Sequence, residues 1–328
     1  MTEYHPYDSE PLVMGVDAGG TRIRVAVAGL EGPVLGRGAG GAGNALSVPV
    51  PELASHLHEA IARAVHGEDV AKRVRSVVAG FAGAAPLMVD PADVGRERAR
   101  AALAAACAEA GIAPDVTIEV RSDVEVAFAS GAGSAGDGLV LVSGSGAVAG
   151  RIAAGRLAWT ADGNGRLIDD AGSGFWIGRG AMRAALRALD GRAPWTSLVA
   201  AIAERLGVSV EALRGRGGLE AVALRRALIR EVTSRGEFYL STLCPLVTEA
   251  AAEGDAVASR ILDEAVEELI TTLRALRPEP GEPLVTTGGL LAPGGPLLKR
   301  LTEAVAALGL TPLPVEDGVA GAIALARG

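Results

Sequence analysis

The sequence predicts an α/β protein made of two related halves, each of which opens with a β-hairpin. Two observations support this prediction. An apolar run, a glycine-containing turn and a second apolar run follow one another over residues 12–29 and again over residues 138–153, which is the pattern of a hairpin. In addition, the chain of 328 residues is long enough for about two domains, each with its own core.

The first half continues from its hairpin into alternating strand and helix patterns. These patterns predict a short third strand, a helix, a buried strand, a second helix and a further strand, in that order, at residues 34–37, 51–65, 74–81, 96–110 and 116–120. Pro51 suits the first turn of the first of these helices. Ser122 or Asp123 can cap a helix that reaches about residue 130.

The second half becomes mostly helical after Gly172. Apolar residues at helical spacing predict helices over residues 175–189, 197–206, 219–235, 239–253 and 255–276. A strand pattern returns at residues 283–287 and is followed directly by Gly288 and Gly289. An amphipathic helix over residues 296–308 and a last short helix over residues 318–327 complete the predicted elements.

Composition and charge exclude several classes of function. No apolar run approaches the roughly 18 residues that a membrane span needs, and the residues before Leu12 lack the pattern of a signal peptide. The net charge of -8 and the aromatic content of 3% argue against a nucleic-acid partner. Cys107 and Cys244 are far apart and lack the spacing of metal ligands, which is typical of a reducing compartment. We therefore expect a cytoplasmic protein without membrane or nucleic-acid partners.

The turn of the first hairpin is a candidate phosphate site. Gly19, Gly20 and Thr21 leave backbone N–H groups uncovered beside a hydroxyl, and such groups can hold phosphate oxygens. Asp17 would face the same site, where an acidic residue is compatible with phosphate if Mg²⁺ lies between them. The alternative is a plain glycine turn capped by Asp17.

Two further glycine clusters strengthen the nucleotide hypothesis. Gly144, Ser145 and Gly146 form a second turn of the same kind, and two facing turns would hold a triphosphate from both sides. Gly288 and Gly289 give a flat backbone surface on which an adenosine could lie. Other nucleotide motifs are absent or out of context: no Gly-Lys pair of a P-loop occurs, and the two GxGxxG matches do not open a helix after a strand.

These motifs together resemble the actin and sugar kinase superfamily, and within it the BadF/BadG/BcrA/BcrD ATPase family, which includes N-acetylglucosamine kinases. The segments that resemble the two phosphate motifs and the adenosine motif are residues 15–27, 139–150 and 284–291. The resemblance implies a two-lobed actin-like ATPase fold, a duplicated ribonuclease H-like fold, with a nucleotide cleft between the lobes. It also implies ATP and Mg²⁺ as cofactors, with Asp17 as the metal partner.

The resemblance implies a division into lobes as well. Residues 12–125 would form the amino-terminal lobe and residues 126–317 a largely helical carboxyl-terminal lobe. The last helix, within residues 318–328, would pack back on the first lobe. Members of the family are often dimeric, so a homodimer is possible.

Site residues follow from the same resemblance. The amino sugar would meet Asn44, Asn164 and Asp170, and Asp123 matches the position of the catalytic base. Arg22 could reach a phosphate or simply lie at the hairpin edge. Asp123 could alternatively be only a helix cap. Asp170 has the same alternative, but Asp169 beside it leaves one of the two carboxylates free for a ligand.

The sequence departs from the kinases at the second turn, where Ala147 and Val148 replace residues with a hydroxyl and an amide. The predicted function is phosphorylation of N-acetylglucosamine to its 6-phosphate, with glucosamine or another hexosamine as alternative acceptors. A different alternative is an ATPase activator that holds a [4Fe–4S] cluster between two subunits, to which Cys107 and Cys244 would contribute. A third, a repressor of the related ROK group, needs a DNA-binding segment ahead of the first hairpin, for which the sequence offers no room.

Overall fold

The structure is a computed structural model that describes residues 10–85, 93–210 and 217–328. Most of the segment before Leu12, which the sequence predicts to be a loose leader, lies outside the described residues. Within the described part of the chain, no helix combines the length and the apolar composition that are needed to cross a bilayer.

The first hairpin begins a mixed sheet of five strands. Its strands are β1 (Leu12–Ala18), β2 (Ile23–Gly29), β3 (Val34–Gly40), β4 (Val74–Phe81) and β5 (Thr117–Ser122). They lie in the order β3-β2-β1-β4-β5. Strands β1, β2 and β3 are antiparallel, whereas β4 and β5 run parallel to β1. Strand β1 is central and is buried along its whole length.

The helices of this region are α1 (Val50–Val65), α2 (Glu68–Arg73), α3 (Val94–Glu109) and α4 (Asp123–Ala132). Helices α1 and α3 pack on one face of the sheet through residues such as Leu57 and Leu103. Alternate glycines of β3 allow α1 to approach closely, because a Cβ on Gly38 would lie 1.9 Å from the Ala60 carbonyl oxygen. A larger side chain there would force the helix away from the sheet.

The second sheet repeats the topology of the first. Its strands are β6 (Gly138–Ser143), β7 (Ala147–Ala153), β8 (Arg156–Asp162), β9 (Leu284–Thr287) and β10 (Pro312–Pro314). They lie in the order β10-β9-β6-β7-β8, with β6, β7 and β8 antiparallel and with β9 and β10 parallel to β6. The prediction of two related halves, each opening with a hairpin, is therefore confirmed.

Helices separate β6 from β9 in the sequence. They are α5 (Gly174–Leu189), α6 (Leu198–Leu206), α7 (Gly218–Arg235), α8 (Cys244–Ala252) and α9 (Ala256–Ala275), and α10 (Leu298–Val305) follows β9. Residues 239–253 are predicted as one helix but form a 3₁₀ helix that continues into α8 at Cys244. Pro245 explains the new start, since proline fits the first turn of a helix but not its interior.

Helix α11 (Val319–Arg327) ends the chain and packs on the first sheet rather than on the second, which it follows. Helix α4 lies against both sheets and against α11. Gly321 is at the contact, where a Cβ would lie 2.1 Å from the Val126 carbonyl oxygen. The predicted lobe boundary after residue 125 falls inside α4, and the predicted residue bounds of the two lobes stay a prediction.

Candidate functional site

The carboxyl ends of the parallel strands of the first sheet bring several candidate residues to one edge. Asp17 in β1 pairs with Gly80 in β4, and the next row joins Ala18, Phe81 and Ser122. Ligands of α/β sheets usually bind at this edge of the parallel strands. The sequence order hides this arrangement, because Asp17 and Ser122 are about a hundred residues apart.

Asp17 is buried at the end of β1, with a relative exposure of 8%. Its Oδ2 accepts a hydrogen bond from the Gly318 N–H at 3.1 Å and lies 3.9 Å from Arg24 Nη1. Burial raises the pKa of Asp17 from 3.8 to about 7; the Gly318 N–H opposes this, and the carboxylates of Asp123 and Asp317 add to it. The Arg24 guanidinium opposes the rise as well, but burial outweighs it, so this carboxylate favours a proton or a nearby cation.

Asp123 is the first residue of α4, directly after β5. The Val124 N–H donates to its Oδ1 at 3.0 Å, and Ser122 Oγ donates to the same oxygen at 3.4 Å. Burial raises the pKa of Asp123 from 3.8 to about 6, against the effect of these hydrogen bonds, and Glu125 contributes in the same direction as burial. The N-cap of α4 is Ser122, so the predicted capping role falls on Ser122, and Asp123 lies within the first turn.

The two glycine turns approach each other, although they belong to different sheets. The first glycine turn is residues 17–21, and the second glycine turn is residues 143–147. A Cβ built on Gly20 would lie 3.7 Å from Ser145 Oγ, which is ordinary van der Waals distance. The residues predicted to hold a phosphate from two sides are therefore brought together.

The second glycine turn is anchored from behind by the segment that leads into α5. The Gly174 N–H donates to the Gly144 carbonyl oxygen at 2.7 Å, and Ser143 Oγ donates to the Gly172 carbonyl oxygen at 2.9 Å. These two hydrogen bonds hold Ser143 and Gly144 against the residues that precede and begin α5. The second glycine turn therefore has a fixed position relative to α5.

Gly288 and Gly289 lie beside the second glycine turn. Gly288 has a φ of +90°, and a Cβ there would lie 2.4 Å from the Ser143 carbonyl oxygen, so a larger residue would not fit. A Cβ on Gly289, in contrast, would have no atom within 4 Å, and one on Gly144 would lie 3.8 Å from the Gly289 nitrogen. The backbone at Gly289 therefore presents an open surface next to the second glycine turn.

Asp170 also lies beside the second glycine turn. Its Oδ2 is 2.8 Å from where a Cβ of Gly146 would be, so only glycine leaves it room. Burial raises the pKa of Asp170, and the nearby carboxylate of Asp162 adds to this effect. Asp162 in turn accepts hydrogen bonds from the backbone N–H groups of Asp170 and Ala171 and holds the loop in place.

The two predicted asparagines of the sugar site lie on different sheets. Asn44 Oδ1 accepts from the backbone N–H groups of Leu46 and Ser47 at 2.9 and 3.1 Å, at the carboxyl edge of the first sheet. Asn164 is exposed in the loop after β8, where its side chain contacts Asp162. Each asparagine is therefore part of a local turn. Asn44 keeps its side-chain NH₂ group for a ligand, whereas Asn164 Nδ2 donates to Asp162 Oδ1 and leaves the Asn164 Oδ1 for one.

Arg22 is exposed and directly precedes β2. It lines a cavity of about 490 Å³ together with Arg24, Arg37, Arg63 and Asp317. Arg24 Nε is 3.6 Å from Asp317 Oδ2 and thereby links this cavity to the surroundings of Asp17. The sequence does not single out Arg24 or Asp317. For Arg24 there is one local signal, its position opposite Asp17 in the predicted hairpin; for Asp317 there is none.

Comparison with known proteins finds two curated relatives. An N-acetylmuramic acid/N-acetylglucosamine kinase of Clostridium acetobutylicum is 32% identical over 160 residues, which are 48% of this chain and 48% of that protein. An N-acetyl-D-glucosamine kinase of Dictyostelium discoideum is 25% identical over 311 residues, which are 90% of this chain and 91% of that protein. The chain thus matches about half the length of the first relative and nearly all of the second.

A solved structure from Chromobacterium violaceum, provisionally described as an N-acetylglucosamine kinase, has the same fold. It matches with a TM-score of 0.74 at 22% identity and covers 98% of this chain and 100% of that one. The predicted two-lobed, actin-like fold is confirmed. The model of the BadF/BadG/BcrA/BcrD ATPase family matches residues 14–326, a range that includes both glycine turns and Asp123. The resemblance is therefore confirmed, and the chain belongs to the BadF/BadG/BcrA/BcrD ATPase family.

Proposed function

We propose that this protein is a sugar kinase that transfers the γ-phosphoryl group of ATP to an amino sugar, with N-acetylglucosamine as the acceptor and its 6-phosphate as the product. The observation that carries the proposal is the proximity of Gly20 to Ser145, whose Oγ lies 3.7 Å from where a Cβ of Gly20 would be. It joins two glycine turns from different sheets at the edge that also holds Asp17 and Asp123. The two curated relatives, both named as kinases of N-acetylated amino sugars, support this acceptor class.

ATP binds between the turns in this proposal. Backbone N–H groups of Gly19, Gly20 and Thr21 contact the phosphates from one side, and those of the second glycine turn contact them from the other. The open backbone at Gly289 accommodates the adenosine, because no protein atom lies within 4 Å of a Cβ at that position. Arg22 contacts a phosphate oxygen.

The donor set fits Mg²⁺ together with a triphosphate. Among the described residues, no group of three or more His, Cys, Asp or Glu side chains is arranged to hold a metal ion. Mg²⁺ in kinases is commonly held by one or two carboxylates and completes its coordination with phosphate oxygens and water. Asp17 would hold the ion, which neutralises charge on the phosphates. Burial, with the carboxylates of Asp123 and Asp317 nearby, raises the pKa of Asp17 to about 7, and a bound cation would stabilise its ionised form.

Asp123 accepts the proton of the sugar 6-hydroxyl. A pKa of about 6 leaves most of the carboxylate ionised at pH 7 to 8 and still close enough to neutrality for efficient proton transfer. The hydrogen bonds from Val124 N–H and Ser122 Oγ fix the position of Oδ1. The remaining work of the protein is to align the hydroxyl with the γ-phosphorus, since phosphoryl transfer depends mainly on positioning and charge.

The sugar lies between the two sheets in this proposal. Asn44 contacts it from the first sheet, and Asn164 and Asp170 contact it from the loop after β8. Closure around the sugar would exclude water from the phosphoryl group, so hydrolysis of ATP without sugar is expected to be slow. The turnover of different amino sugars measures how Ala147 and Val148 affect the acceptor preference.

The alternative of an iron–sulfur activator is disfavoured by the cysteines. Cys107 and Cys244 are both buried, and burial raises the pKa of each thiol to about 12. Cys107 lies in the core of the first sheet and Cys244 in that of the second. A cluster shared between two subunits needs thiolates at the surface of each, and neither thiol is available there.

The test is an assay that couples ADP release to a spectroscopic signal over a panel of amino sugars. We expect turnover with N-acetylglucosamine and a phosphate on its 6-hydroxyl, which nuclear magnetic resonance identifies. Asp123→Asn should lower kcat by about 10²- to 10⁴-fold, as expected for loss of a general base. Its affinity for ATP, measured by calorimetry, should change little. Near wild-type turnover of this variant would contradict the proposed base, and absence of turnover with every sugar would contradict the proposed function.

Two expectations about the setting accompany the proposal. We expect a cytoplasmic enzyme, because ATP is available in the cytoplasm. The two free, buried cysteines among the described residues agree with this localisation. A homodimer, which the family resemblance suggests, is tested by light scattering of the purified protein. Neither a membrane nor a nucleic acid has a part in the proposed reaction.

A further inference from the structure

Glu125 is a fully buried carboxylate two residues after Asp123, in the first turn of α4. Its relative exposure is 1%. A buried charge of this kind is costly unless every oxygen has a partner. The partners of Glu125 come from two different sheets, and they define what this residue does.

One oxygen of Glu125 fixes the start of α4. Its Oε2 accepts from the Ser122 N–H at 2.9 Å, while Ser122 Oγ accepts from the Val124 N–H at 3.1 Å. This reciprocal pattern is a capping box, which holds the first turn of a helix. Because Asp123 is the first residue of that turn, the capping box also fixes its backbone.

The other oxygen of Glu125 contacts the second sheet. Its Oε1 accepts from the Leu157 N–H at 3.2 Å and forms an ion pair with Arg156 Nε at 3.1 Å. Arg156 and Leu157 begin β8. Arg156 Nη1 also contacts Glu119 Oε1 at 3.1 Å, so the beginning of β8 is held against β5 as well as against α4.

The far end of β8 holds the loop that carries Asp170. Asp162 is the last residue of β8, and its carboxylate accepts from the N–H groups of Asp170 and Ala171 at 3.2 and 2.9 Å. A strand of seven residues is about 20 Å long. A single strand therefore connects the partner of Glu125 to the candidate sugar loop.

We propose that Glu125 is a positioning residue that attaches Asp123 to β8, so that the candidate base and the loop carrying Asp170 keep a fixed relation to each other. This inference rests on the proposed function. A capping role alone would explain the contact of Oε2 but not those of Oε1. Asp17 is the charged neighbour of Asp123 on the side of the first sheet. At the contact of Glu125 with β8, the charged groups are Arg156, Glu119 and Arg121.

Glu125→Gln tests this inference because glutamine has only one acceptor oxygen. It can serve either the capping box or β8, but not both, and it carries no charge for Arg156. We expect kcat to fall by about 10- to 100-fold, as for a reacting group displaced by about 1 Å. The KM for ATP should stay within about twofold, since a displaced base affects the chemical step and not nucleotide binding.

A double-mutant cycle shows whether Glu125 acts through Asp123. In the Asp123→Asn background, the additional change Glu125→Gln should cost little further kcat, because the group that it positions is already inactive. Arg156→Gln is a second variant. The Arg156 side chain is 44% exposed, so this variant should still fold. Its kcat should fall, as that of Glu125→Gln does. Glu282→Gln is the matched control, since it removes a similarly buried ion pair with Arg151 before the start of β9.

The outcomes separate the inference from the proposed function. Wild-type kcat in Glu125→Gln or in Arg156→Gln would overturn the inference. An equal loss of kcat in the presence and absence of Asp123→Asn would also overturn it, because the effect would then not pass through Asp123. Full turnover by Asp123→Asn alone would instead refute the proposed base and hence the function on which the inference rests.

Discussion

Replacing Asp17 by asparagine should make the ligand-free protein more stable at pH 8, although the variant would lose its proposed ligand for Mg²⁺. Asp17 is buried at the end of β1, and its pKa is raised from 3.8 to about 7. Asparagine has nearly the same shape, and its Oδ1 can still accept from the Gly318 N–H. The substitution therefore removes the buried charge and keeps the hydrogen bond.

The magnitude and its pH dependence follow from the pKa shift. Because the pKa of Asp17 is higher in the folded state than in the unfolded state, the folded state binds more protons between pH 3.8 and about 7. Stability therefore falls as pH rises through this window, and the cost is complete above it. At about 1.4 kcal/mol per pK unit, Asp17 costs on the order of 4 kcal/mol at pH 8, where it is ionised in the folded state, and about 2 kcal/mol at pH 5, where folding requires its protonation.

Thermal unfolding in metal-free buffer measures this effect. For a chain of this size, we expect Asp17→Asn to raise Tm by on the order of 10 °C at pH 8 and by clearly less at pH 5. Asp255→Asn is the matched control with the opposite sign, because hydrogen bonds from α9 and from Thr196 and Ser197 lower the pKa of Asp255. An Asp17→Asn variant that is less stable at pH 8, or equally shifted at both pH values, would refute the reasoning.

Two other predictions concern packing and the cysteines. Gly321→Ala should destabilise the protein by about 1–3 kcal/mol, because the new Cβ would lie 2.1 Å from the Val126 carbonyl oxygen. Thermal unfolding measures the loss, with Ala324→Ser on the exposed face of α11 as the control. An unchanged Tm of Gly321→Ala would contradict the close contact between α11 and α4. Cys107 and Cys244 should react with a thiol reagent only as fast as the protein opens, since burial raises both pKa values to about 12. Rapid labelling of the native protein, or iron in protein purified without oxygen, would reopen the activator alternative.

The elements that the sequence predicts are those with a strong local pattern. The two hairpins, α1 and β4 follow directly from alternation or helical spacing. Strands β8 and β10 do not, because both lie at sheet edges and carry weak patterns. Strand β10 even begins and ends with proline, which argues against a strand unless it is at an edge. Helix α2 is only six residues long and has too few turns for a periodic signal.

The candidate site is only partly readable from the sequence. Asp17 can be found because it directly follows the first predicted apolar run, and Asp123 because its position matches that of the catalytic base in the family that the chain resembles. Asp317 cannot, since it reaches Asp17 and Arg24 only when the last helix packs back on the first sheet, some three hundred residues along the chain. Glu125 had a local signal, the Ser-x-x-Glu pattern of a capping box from Ser122, but its contact with β8 requires the tertiary structure.

The central claim is that two glycine turns from different sheets hold one triphosphate, and calorimetry of ATP binding in the presence of Mg²⁺ tests it most directly. Gly20→Leu alters the first glycine turn and Gly144→Leu alters the second, and in both cases a Cβ has room in the protein itself. We predict one ATP per chain for the wild type and at least about tenfold weaker binding for each variant, which corresponds to about 1.4 kcal/mol. Unchanged affinity in either variant, or no binding of ATP by the wild type, would contradict the claim.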